Sequence, residues 1–78
     1  EATGIKLFPN PTAGSFIIEF ADKQPHYVEI TDAIGQIVMA EKQIMHSTPI
    51  KLDAAAGIYF VRIKQVKAIT SLKLNLVK

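Results

Sequence analysis

Apolar and polar residues alternate along most of this chain, and turn-forming residues interrupt them about every eight to twelve positions. That pattern predicts short antiparallel strands, because successive side chains of a strand point to opposite faces. Ile5 and Leu7 mark the first strand, which has to stop at Pro9-Asn10-Pro11. Proline lacks the N–H of a ladder and biases the residue before it towards extended geometry. Gly14 then frees the backbone to turn into Ser15–Phe20. There Phe16, Ile18 and Phe20 share one face, and Ser15, Ile17 and Glu19 the other. After a polar connection over residues 21–25, Val28 and Ile30 are expected inward, with Glu29 and Thr31 outward.

Asp32-Ala33-Ile34-Gly35 is the clearest turn. An aspartate at the first position accepts backbone N–H bonds, and a glycine at the fourth takes positive φ. Residues 36–44 read two ways. Ile34, Ile37, Val38, Ile44 and Met45 form one helical face, but Glu41 interrupts it. A strand is favoured, because the hairpin turn needs a partner for its first arm. Residues 48–52 form a short strand opened by Pro49, which suits an edge or a strand start. Asp53-Ala54-Ala55-Ala56-Gly57 leads into the strand at 58–64, with Tyr59, Val61 and Ile63 on one side and Ile58, Phe60 and Arg62 on the other. In the closing strand, 70–77, Leu72, Leu74 and Leu76 face inward and Ser71, Lys73 and Asn75 outward. The expected fold is therefore all-β: an immunoglobulin-like β-sandwich of about seven short antiparallel strands.

Seventy-eight residues suit one domain spanning 1–78. Hydrophobic residues make up 49% of the chain, which excludes disorder, and the absence of cysteine leaves the apolar core to hold the fold alone. The net charge of +2 is spread along the chain with Arg62 as the sole arginine, so no basic stripe points to nucleic acid. Apolar runs are short and broken by charge or glycine, so no membrane-inserting segment is expected. With Glu1 and not Met first, the chain is expected to be a processed or excised piece, and a signal peptide is expected upstream if the parent protein is exported.

No chemistry emerges from the side chains. His26 and His46 stand twenty positions apart without a carboxylate at ligand spacing, and read as solvated surface residues and not as zinc ligands. Asp22, Asp32 and Asp53 are too isolated for a calcium loop and suit turns. Ser15, Ser47 and Ser71 lack an activating elbow, and the single glycines cradle no phosphate, so neither catalysis nor a cofactor is expected. Tyr27, Tyr59 and Phe60 suggest either a sugar-binding platform or ordinary core aromatics, the latter being favoured.

Three motifs stand in order: Pro9-Asn10-Pro11-Thr12-Ala13-Gly14; the hairpin from Ile30 through Asp32 and Gly35 to Val38; and Leu52-Asp53 with Gly57-Ile58-Tyr59-Phe60-Val61-Arg62-Ile63, followed by Lys73, Leu74, Val77 and Lys78. Together they closely resemble the type A C-terminal sorting domain of the type IX (Por) secretion system of Bacteroidota, over about residues 5–78. Two departures stand out. Gln65-Val66-Lys67-Ala68 lacks the Gly or Asn often found at that turn, and Ala54-Ala55-Ala56 lacks a frequent leucine.

The resemblance implies a non-catalytic secretion signal fused to an upstream cargo. It implies export through the periplasm, recognition by the outer-membrane translocon, and delivery to the cell surface or medium, with a sortase-like peptidase removing the domain. Pro9, Asn10, Pro11, Gly14, Asp32, Gly35, Gly57 and Tyr59 are expected to be structural motif residues. Lys73, Leu74, Leu76, Val77 and Lys78, on a terminal edge strand, are the candidates for translocon recognition, with strand addition as the mode. The competing reading is a generic sandwich module that binds carbohydrate or mediates adhesion.

Overall fold

The computed structural model describes residues 4–64 and 68–77. Among them are seven strands: β1 (Ile5–Phe8), β2 (Ser15–Phe20), β3 (His26–Asp32), β4 (Ile37–Ile44), β5 (Thr48–Lys51), β6 (Gly57–Lys64) and β7 (Ile69–Leu76). They form two antiparallel sheets, one of three strands in the order β1-β2-β5 and one of four in the order β4-β3-β6-β7. The fold is an immunoglobulin-like sandwich, as the alternation predicts. Residues 37–44 are a strand and not a helix, since the turn at 32–35 folds them back onto β3.

Inward positions of both sheets meet in one apolar cluster. Phe16, Ile18 and Phe20 come from β2 and Ile50 from β5; Val28, Ile30, Tyr59, Val61, Ile63, Leu74 and Leu76 come from the wider sheet. Burying one such side chain stabilises the fold by about 1.5–3 kcal/mol. Ala54 also packs against this cluster, half-buried, so the alanine run contributes one small contact where a larger side chain was looked for. Of the expected turn at residues 65–68, positions 65–67 lie outside the described residues, as does Lys78.

Two outward residues are nonetheless covered. Glu29 and Thr31 do lie on the outer face of β3, yet they are 9% and 6% exposed. The cause is position: β3 is an inner strand, flanked by β4 and β6, so neighbours on both sides cover its outer face. Arg62 stands directly opposite Glu29, and its Nη1 donates to Glu29 Oε1 at 3.2 Å. Phe60 and Ile37 flank Thr31. Edge strands follow the opposite rule. Ile37 and Val38 remain 60% and 39% exposed because, among the described residues, β4 has a neighbouring strand on one side only.

The hairpin turn between β3 and β4 behaves as its residues dictate. Asp32 Oδ1 accepts the N–H groups of Ile34 (3.0 Å) and Gln36 (2.9 Å), and the Gly35 N–H donates to the Asp32 carbonyl at 3.1 Å. Gly35 has φ +95°, and a Cβ placed there would meet nothing within 4 Å. The obstacle to substitution is thus the backbone conformation and not space. Gly35→Val is expected to lower stability by at least about 1 kcal/mol, read in urea or thermal unfolding. An unchanged melting temperature would contradict this account of the turn.

Candidate functional site

The closing strand β7 pairs with β6 along its whole length, from Lys64↔Ile69 to Gly57↔Leu76. No strand flanks its other side among the described residues. Alternation divides its residues by role. Leu74 and Leu76 are 0% and 1% exposed and belong to the core, with Leu72 half-buried beside them. Lys73 and Val77 are exposed. Of the residues expected to be read by a partner, Leu74 and Leu76 therefore hold the strand in place, and Lys73 and Val77 are the ones a partner can touch.

The free edge of β7 is not bare. Asn10 Nδ2 donates to the Lys73 carbonyl at 2.8 Å, and Asn10 Oδ1 accepts the Asn75 N–H at 3.0 Å. Thr12 continues the run: its N–H donates to the Asn75 carbonyl (2.9 Å) and its carbonyl accepts the Val77 N–H (2.8 Å). This makes a one-residue parallel bridge between Thr12 and Leu76. The connection between β1 and β2, residues 9–14, thus straps the three-stranded sheet to the edge of the four-stranded one.

The strap is itself anchored. Thr12 is 1% exposed; its hydroxyl donates to the Ser15 carbonyl at 2.7 Å and accepts the Gly14 N–H at 3.1 Å. The Gly14 carbonyl in turn accepts the Leu52 N–H at 2.7 Å. Gly14 has φ +141°, and a Cβ there would stand 3.4 Å from the Leu52 carbonyl. Pro9 and Pro11 flank Asn10 and leave it no strand of its own to pair in, so its carboxamide is free to serve β7. Sequence reasoning ends β1 at these prolines and assigns the motif to structure, but misses the partner, which lies 63 and 65 residues away. A carboxamide held between two prolines is the one local signal: it can donate and accept at once, as a backbone amide does.

Tyr59 is buried, and its Oη donates to the Ala55 carbonyl at 2.6 Å, closing the connection that Gly57 ends. The aromatic trio is not assembled into a platform. Tyr59 faces the core, whereas Tyr27 and Phe60 lie on the outer face, Tyr27 opposite Lys64 and Phe60 opposite Thr31.

His26 departs from its expected surface role. It opens β3 on the inward side, 6% exposed, with its ring 4.2 Å from that of Phe20. Its Nε2 lies 2.8 Å from Asp22 Oδ1, so a carboxylate four residues earlier, on the connection from β2, does reach it. That hydrogen bond is the main cause that holds the Asp22 carboxyl below its usual range. His46 is exposed as expected, with Nδ1 2.7 Å from the Phe20 carbonyl. Among the described residues no group of three His, Cys, Asp or Glu is placed to hold a metal ion, and no helix is long and apolar enough to cross a membrane.

The model of the secretion system C-terminal sorting domain family matches residues 6–77. The chain belongs to that family. It is a sorting-signal module for type IX secretion. No curated protein matches the sequence. The match takes in the strap, the hairpin and the whole of β7, so the edge closure falls within it.

Two outcomes test this geometry. Thr12→Val keeps the shape but removes the hydroxyl, leaving the Ser15 carbonyl and Gly14 N–H short of a partner. A loss of about 1–3 kcal/mol is expected in urea unfolding, and an unaltered midpoint would show that the anchor carries no weight. For Asp22, a carboxyl with a depressed pKa adds stability above its unfolded pKa and loses it as pH falls through its folded pKa. Asp22→Asn should be less stable than wild type at pH 7, with the gap narrowing as pH drops through the carboxylate range. A gap that stays constant would refute the pairing.

Proposed function

We propose that residues 1–78 act as one non-catalytic module, carried behind an exported cargo and read in the periplasm by the type IX outer-membrane translocon. Delivery to the cell surface or medium follows, with a sortase-like peptidase removing the module. The chain is then the substrate of that step and contributes no catalytic group to it. The observation that carries the reading is the family match over residues 6–77, which ends just past β7, where Lys73 and Val77 are exposed.

Within the sorting domain the recognised face is β7. Its side chains divide into an inward leucine row and an outward set, Ser71, Lys73 and Asn75, with Val77 just beyond the strand. Lys73, Val77 and Lys78 are the contact residues, while Leu74 and Leu76 set the position of the strand that presents them. Pro9, Asn10, Pro11, Gly14, Asp32, Gly35, Gly57 and Tyr59 act through the fold.

The experiment is a fusion of a signal peptide, a fluorescent protein and residues 1–78 in a Bacteroidota host, compared with and without its type IX system. Surface or extracellular fluorescence is expected only with the system present. Deleting residues 75–78 should leave the fusion in the periplasm, but it also removes the buried Leu76. The double variant Lys73→Glu, Val77→Ser therefore accompanies it, since both side chains are exposed and the core is untouched. Normal surface delivery of that double variant would reject β7 as the recognised face. Equal delivery without the secretion system would reject the sorting role in this host.

A further inference from the structure

We propose that the strap at residues 9–12 is an autoinhibitory cover: it occupies the backbone groups of β7 that an added strand would use, so strap and strand exclude one another. The proposal goes beyond the sorting role, because it concerns what closes this edge, whichever protein reads it.

Backbone groups of a strand point alternately to its two sides. The strap bonds place those of Lys73, Asn75 and Val77 on the side away from β6. An exposed run of such groups is a template for a further strand. Here the Lys73 carbonyl, the Asn75 N–H, the Asn75 carbonyl and the Val77 N–H are consecutive along that edge, and each is taken. Thr12 takes its two with real backbone, in parallel register. Asn10 takes its two with a carboxamide, which reproduces the donor and acceptor of a peptide group. The cover imitates a strand, and the ligand that fits beneath it is therefore the extended backbone of another polypeptide.

The two ends of the cover are held unequally. Thr12 is buried and tied by its hydroxyl to Ser15 and Gly14. Asn10 is exposed and grips β7 through its side chain. The cover stops at Lys73, and by the same alternation Ile69 and Ser71 turn their backbone groups to the same side beyond it. Release of Asn10 alone would therefore join the Lys73 carbonyl and Asn75 N–H to that earlier stretch. The outer end is the part that opens; the Thr12 end stays as the hinge.

Asn10→Ala tests this without touching the core. In the 78-residue chain, hydrogen exchange of the Asn75 amide should quicken about tenfold, as expected for loss of one to two hydrogen bonds. The Leu74 and Leu76 amides, which face β6, should keep their protection. A synthetic peptide copying residues 69–78 serves as the probe strand, and its affinity should rise about tenfold in the variant. Asn10→Asp keeps an acceptor for Asn75 but sets a carboxylate against the Lys73 carbonyl, and should fall on the same side of wild type. Equal peptide affinity in all three forms, or peptide binding to none while the Asn75 amide is freed, would overturn the proposal. So would unchanged exchange at Asn75. None of these readouts involves secretion, so their failure leaves the sorting role standing.

Discussion

The two sheets of this domain are joined by one shared apolar layer, and because the chain has no cysteine that layer carries the fold. Three strands supply one side and four the other, so the wider sheet overhangs. Phe16, Ile18 and Phe20 on the central strand β2 meet a wider set from β3, β6 and β7. Removing such a side chain costs both its transfer energy and the cavity left behind. In a domain this small that is a large share of the total stability.

The strap adds a second closure of a different kind. It is made of directional hydrogen bonds, and it joins the connection of one sheet to the open edge of the other. Natural sheets cover, shorten or charge their edges to avoid unwanted pairing. Here the covered edge belongs to β7, the strand proposed above as the recognised face. Its Leu74 and Leu76 lie in the core, while Lys73 and, just past the strand, Val77 are exposed.

The strands were legible because period-two alternation follows from chain geometry, and it reads cleanly wherever one face is buried. This holds for β2, β6 and β7. The turn at Asp32–Gly35 was legible because its chemistry is local: one carboxylate, two nearby N–H groups and one positive φ. Glu29 and Thr31 take the outer face that alternation assigns, but their burial was not legible, because alternation does not tell whether a strand is central or at an edge. His26 was misjudged for a related reason. Its polarity suggested solvent, whereas its place in the β3 register put it against Phe20, where Asp22 satisfies its outer nitrogen.

The amino-acid order therefore determined the strands, their inward faces, the hairpin and, through its motifs, membership in a sorting family. Each of these is set by neighbours within a few residues or by the linear succession of motifs. The order of strands across the sheets, the burial of polar groups on β3 and the partner of Asn10 came from folding. They depend on which distant segments come to lie side by side, and a carboxamide between two prolines carries no mark of the strand more than sixty residues later that it will hold.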